Sequence, residues 1–328
     1  MESRGARGSI GGVPLNPNTL SVHWRIALGA AQDALHSGAD YPGAGPLATE
    51  LRTRGARLTR ERDEVQRLLE RDARIERVAL VRRLSFPNVR RSRLGLPPGI
   101  EACVFELDGV LTPSADLHYA AWATVLDGFL LRRFAQASVH LGHFARLSRR
   151  TDYEQYLHGR PRVDGLRAFL ASRGLTVSEE TVHELADAKD HALRTLLARQ
   201  GIEAYAGAAR YLEALAGSGL GCAVVSASAN TDAILEHAEL ADLVDVVIDG
   251  SAMRMLDLRP KPAADLVIAA CEELDVPPRA VAAFETTAAG VEAAHAAGAG
   301  FVVSVARQGG AAADRLVGDV AELLQAAA

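Results

Sequence analysis

Only two of the 36 basic residues are lysines, Lys189 and Lys261; the rest are arginines. The chain uses a guanidinium wherever positive charge alone suffices. Each remaining ammonium either marks a place that needs a compact donor on a flexible stem, which a planar fork cannot imitate, or is a chance survivor of a coding bias against lysine, and position must decide. Other groups able to do chemistry fall at the ends of short apolar runs. Glu106 and Asp108 follow the run ACVFEL, Ser226 and Ser228 close CAVVSAS, Lys261 lies in RPKP, and Glu285 ends AVAAFE. Carboxylates can move protons, and an ammonium beside hydroxyls can hold an anion. Brought together, these groups would form a polar ligand site.

The elements that must position them are legible. Five apolar runs, at 102–107, 222–228, 244–250, 280–285 and 300–305, have the length and bounding residues of buried strands. Helical patterns at 262–274 and 288–297 alternate with them. Strands alternating with helices predict an α/β fold, a doubly wound parallel sheet of Rossmann-like type with its ligand site at the carboxyl ends of the strands. The helical stretch at 117–204 interrupts this core, so the core is expected at 100–116 and 205–328, with the insertion as a helical cap above the site.

The first hundred residues are built differently. They hold 17 arginines against 10 acids, whereas the remainder is strongly acidic and the net charge is −5. Residues 1–19 read as a flexible tail without the apolar core of a secretory signal. Residues 20–93 read as an extra N-terminal helical hairpin, with helical patterns at 21–36 and 47–84, followed by an Arg-rich linker. The apolar stripe of that hairpin is expected to pack within the chain, with a homodimer or protein partner as the alternative it could serve. Three cysteines without a CxxC pair exclude a disulfide framework and a thiolate zinc site. The most apolar stretch, 293–306, is broken by His295, Gly298, Gly300 and Ser304, so no membrane span is expected. A cytoplasmic setting fits best, and no nucleic-acid partner is indicated. His140 and His143 read as cap surface.

The ordered set of strand-end motifs resembles the haloacid dehalogenase superfamily, and its details are similar to the β-phosphoglucomutase branch. The resemblance runs from about residue 102 to the C-terminus and includes the cap motif HGRPRVDGL. It implies phosphatase or phosphotransferase chemistry on a small phosphorylated sugar, with Mg²⁺ as cofactor. The first motif of such enzymes reads DxDGVxT; here it is Glu106-Leu107-Asp108-Gly109-Val110. The resemblance thus implies Glu106 at the nucleophile position, Asp108 as general acid and base, and Ser226 and Lys261 as phosphate holders. It also implies Glu106, Asp108 and Glu285 as the metal site. His118 and Trp122 match an HxxAW segment that couples cap and core, Arg162 an arginine that grips a second phosphate, and Lys189 a cap lysine near the site. Asn230 follows in the second motif.

Two departures bear on activity. Glu106 adds one methylene, which moves its carboxylate by about 1.5 Å, and in-line attack loses roughly 100-fold for a misplacement of about 1 Å. Thr286 stands where the branch has a second metal-binding carboxylate, and Mg²⁺ demands near-octahedral oxygen ligands. Two readings stay open: a phosphotransferase of low activity, or a catalytically decayed phosphosugar-binding or scaffolding protein in which Glu106 pairs with Lys261 and the hairpin meets a partner.

Overall fold

A computed structural model describes residues 89–136, 145–305 and 312–325, together with a two-residue antiparallel strand pair, Ser9–Ile10 with Val13–Pro14. The chain divides into two units, Met1–Arg74 and Ile75–Ala328. Apart from that strand pair and residues 89–93, the expected tail, hairpin and linker lie outside the described residues, as do His140 and His143.

Six parallel strands form the sheet of the second unit: β1 Ala102–Glu106, β2 Gly221–Val225, β3 Val246–Ile248, β4 Val281–Glu285, β5 Phe301–Val305 and β6 Arg315–Val317. Their spatial order is β3-β2-β1-β4-β5-β6. Chain progression reverses between β1 and β4, which creates the crevice where doubly wound sheets bind ligands. The expected strands at 222–228 and 244–250 stop at Val225 and Ile248, because Ser226 opens a polar loop and Asp249 caps a helix that begins at Gly250.

Every residue of β1 and β4 is buried, which is why both read as continuous apolar runs rather than alternating ones. Alternate residues feed two cores. Cys103 and Phe105 join Val224, Phe284 and Tyr211 on one face, while Ala102 and Val104 join Ala223, Val225, Ile248 and Leu266 on the other. Phe105 stacks on Phe284 with centroids 4.4 Å apart, and Tyr211 meets both rings edge-on. The end of the Arg-rich linker belongs to this core: Leu94 is fully buried, and its carbonyl accepts a 2.9 Å hydrogen bond from Tyr211 Oη.

The helical segment between β1 and β2 comprises α1 Ser114–Gln136, a π-helical stretch Arg149–Leu157, α2 Arg162–Ser172 and α3 Glu179–Gln200. It has a core of its own, built from Trp122, Leu126, Tyr153, Leu166, Phe169, Leu185 and their neighbours. Five further helices pack around the sheet: α4 Ala206–Ser218, α5 Thr231–His237, α6 Gly250–Met255, α7 Asp265–Glu273 and α8 Ala288–Ala297. Among the described residues, no helix is long and apolar enough to cross a membrane.

Candidate active site

Glu106 is the last residue of β1 and Glu285 the last of the adjacent β4, so the parallel ladder delivers both carboxylates to the same end of the sheet. Lys261 joins them from the loop before α7. Its Nζ donates to Glu106 Oε1 at 3.0 Å and to Glu285 Oε2 at 2.5 Å. Thr286 holds the other oxygen of Glu106: its backbone N–H donates to Oε2 at 2.9 Å and its hydroxyl at 2.5 Å. All three ionic groups are nearly removed from water, with side-chain exposures of 8%, 1% and 7% for Glu106, Glu285 and Lys261.

The electrostatics follow from this sharing. Burial acts to raise the Glu106 carboxyl, but Lys261 and the two Thr286 bonds outweigh it and hold the group at about 2. Glu285 is pushed up to about 8, first by burial and then by the charge of Glu106, against the pull of Lys261. For Lys261, burial works downward, yet the two glutamates raise it above its ordinary value. One ammonium serves two carboxylates: it lies closer to Glu285, while Glu106 has the two Thr286 bonds in addition.

Asp108 lies beyond the strand end, where the chain turns through Gly109 at φ +85°. A side chain there would be strained and would meet the Thr286 methyl. Ser114, the first residue of α1, donates to Asp108 Oδ1, and Thr112 Oγ1 lies 2.8 Å from Ser114 Oγ. Burial raises the Asp108 carboxyl; the Ser114 bond opposes this and the neighbouring Glu106 charge adds to it. Two carboxyl groups two residues apart are thereby shifted in opposite directions, Glu106 down and Asp108 up.

The helical segment supplies the opposite wall. Lys189 Nζ lies 2.9 Å from His118 Nδ1 and 5.7 Å from the centre of the Trp122 ring. With Lys189 donating, the His118 proton sits on Nε2, a buried atom without a hydrogen-bond partner, 3.7 Å from Asp108 Oδ1. Burial, followed by the nearby Lys189 charge, lowers the His118 pKa. Burial also lowers Lys189 to about 7, although Asp108 opposes the shift. Arg162 contacts Asp190 through one terminal nitrogen and donates to Asp187 Oδ1 at 3.1 Å through the other.

These walls enclose a cavity of about 420 Å³. Glu106, Asp108, Ser226, Lys261, His118, Trp122, Arg162 and Lys189 all line it. Glu285 and Asn230 do not; Glu285 contacts Lys261, and Asn230 Nδ2 donates to Asp190 Oδ1 at 3.2 Å. Ser226 is anchored by its own N–H on Ile248 O at 3.0 Å, and its hydroxyl accepts from the Ser228 N–H at 3.1 Å. Sequence reasoning missed Asp190, Tyr153 and His158, which also line the cavity. Asp190 adjoins Lys189, so the rare lysine could have flagged it. Nothing in the sequence singled out Tyr153.

The Mg²⁺ implied by the resemblance would have to be held by these side chains. Among the described residues, no three or more His, Cys, Asp or Glu side chains converge to hold a metal ion. The Lys261 ammonium bridges Glu106 and Glu285, Thr286 occupies the remaining oxygen of Glu106, and Ser114 takes one oxygen of Asp108. As arranged, this donor set presents no free cluster of carboxylate oxygens to a hard divalent cation, which is held by one or two carboxylates and fills its other octahedral positions with water and substrate oxygens.

Known proteins show the same frame. The β-phosphoglucomutase of Mycobacterium bovis is 39% identical over 260 residues, covering 74% of this chain and 98% of its own length. A β-phosphoglucomutase of Bacillus subtilis is 26% identical over 202 residues, covering 61% and 80%. Among solved structures, CbbY from Rhodobacter sphaeroides in complex with phosphate superimposes with a TM-score of 0.56 at 25% identity, covering 68% of this chain and 96% of its own. A family model described as haloacid dehalogenase-like hydrolase matches residues 100–298. With its strand order, its motif-bearing strand ends and these relatives, the chain belongs to the haloacid dehalogenase-like hydrolases.

Proposed function

We propose that this protein binds a small phosphorylated sugar and transfers or hydrolyses its phosphoryl group slowly. The observation that supports this best is the meeting of Glu106, Asp108, Ser226 and Lys261 from the strand ends with Lys189, His118 and Trp122 from the helical segment around one cavity. In this reading Lys261, the Ser226 hydroxyl and the following backbone N–H hold the phosphate oxygens. Glu106, kept ionised, attacks phosphorus as Asp108 gives its proton to the departing sugar oxygen. Asp108 then takes a proton from the water that cleaves the glutamyl phosphate, returning both groups to their starting states. Trp122 and Leu157 give the sugar an apolar wall. The helical segment serves as the cap of this site.

Turnover is slow in this reading because Glu106 is longer than the aspartate of the family motif and both its oxygens are already bonded. Those same bonds favour a second reading, phosphosugar binding without turnover. A panel of sugar phosphates separates the two, assayed for phosphate release and isomer interconversion with and without Mg²⁺. Turnover by the wild type that Asp108→Asn lowers by about 100-fold or more establishes the enzyme. Should the wild type be silent while Glu106→Asp combined with Thr286→Asp turns over with Mg²⁺, the native protein is a binder. Silence in every variant, with no sugar phosphate bound, overturns both.

A further inference from the structure

Asp190 is a carboxylate inside the cavity, 6% exposed, on the face of α3 that points at the ligand space. Three donors from three parts of the fold converge on it. Arg162, which opens α2, contacts Oδ2; Asn230, at the start of α5, donates to Oδ1 at 3.2 Å; Lys189 Nζ lies 3.6 Å from Oδ1. An arginine, a lysine and an amide arranged around two oxygens form the kind of donor set that holds a phosphate or carboxylate from solution. Here the chain fills it with its own anion. Asn230 is shut off from the cavity behind Asp190, and the second arm of Arg162 is taken by Asp187.

We propose that Asp190 is a specificity-determining residue, a built-in anion that occupies the cavity's second anion site, so that the protein accepts sugars carrying one phosphate and discriminates against those carrying two. The proposal rests on the phosphosugar reading of the pocket and deepens it. A second phosphate brought to Arg162 must displace a buried carboxylate from three donors or lie against it, and like charges brought together in a desolvated pocket repel strongly. Arg254, on α6, also lines the cavity, but it is exposed and donates to Ser251 Oγ at 3.2 Å, so its pull on an anion is screened by water and salt.

The test is calorimetric titration of the full chain with a hexose monophosphate, the corresponding hexose bisphosphate, and inorganic phosphate. The proteins compared are the wild type, Asp190→Asn, Asp190→Ser, and Asp190→Asn combined with Arg162→Gln. The wild type should bind the bisphosphate no more tightly than the monophosphate. In both single variants the bisphosphate-to-monophosphate affinity ratio should rise by about tenfold or more, and Arg162→Gln should erase the gain. A ratio unchanged to within about twofold in a folded single variant, or a wild type that already prefers the bisphosphate by about tenfold, overturns the proposal. Should the wild type bind neither sugar, the phosphosugar reading fails, and inorganic phosphate still decides the role of Asp190. A gain of about tenfold in Asp190→Asn that depends on Arg162 supports the internal anion; no gain refutes it.

Discussion

Replacing Thr286 with valine keeps the volume and the backbone donor but deletes the hydroxyl that donates to Glu106 at 2.5 Å. Holding Glu106 at about 2 instead of its ordinary 4.5 corresponds to about 3 kcal/mol of stability at neutral pH, since each pH unit is worth about 1.4 kcal/mol. Lys261 and the Thr286 backbone N–H carry part of this. A single hydrogen bond to a buried charge contributes about 2 kcal/mol, so Thr286→Val should destabilise the second unit by roughly that amount at pH 7. The pH dependence identifies the partner. A carboxyl whose folded pKa is depressed stabilises the fold above its unfolded pKa, and that stability is lost as pH falls through the folded value. Deleting the hydroxyl brings the Glu106 pKa part of the way back up. The difference between variant and wild type should therefore stay constant from pH 7 to about 4 and shrink below it, where the variant takes up its proton first. Urea unfolding followed by near-ultraviolet circular dichroism at pH 7, 5, 4 and 3 measures it. A penalty below about 0.5 kcal/mol at pH 7, or one that persists undiminished at pH 3, would show that the hydroxyl does not stabilise an ionised Glu106.

Two further tests reach other parts of the molecule. Because burial brings Lys189 down to about 7, its charge should fade across neutrality, so the affinity for sulfate, an anion of fixed charge, should weaken from pH 6 to pH 8; Lys189→Met should flatten that profile, and an unaltered profile in the variant would exclude Lys189 as the titrating group. Leu94 is fully buried against the sheet although it ends an Arg-rich linker, so Leu94→Ala should cost about 2–5 kcal/mol in unfolding experiments, whereas a residue of a solvated tether would cost almost nothing.

Much of this molecule was written in local patterns. Continuous apolar runs ending in polar residues marked the buried parallel strands, because a strand covered on both faces has no alternation to show and must place its polar groups past its end. The helix expected at 288–297 is α8 to the residue, set by the Thr287 cap and by Gly298 at φ +78°. The scarcity of lysine was informative for a related reason: both ammonium groups line the same cavity, on opposite walls. The helical stretch expected at 117–204 divides into α1, a π-helical stretch, α2 and α3, whose boundaries the pattern did not mark although they share one core. The linker's exposed composition likewise hid Leu94, which a tertiary contact buries.

Within the site, the sequence determined which groups are present, and the fold alone decided what they do to one another. Glu106 and Thr286 read separately as two losses from a motif. They lie 180 positions apart and meet only because β1 and β4 are neighbours, and there the threonine joins Lys261 in holding the glutamate's carboxyl down. Arg162 reads as a grip for a second phosphate, and only the fold brings the Asp190 carboxylate of another helix against it. Ionic partnership depends on distances of a few ångströms and on exclusion of water, and both are set where distant segments of the chain come together, not by their order along it.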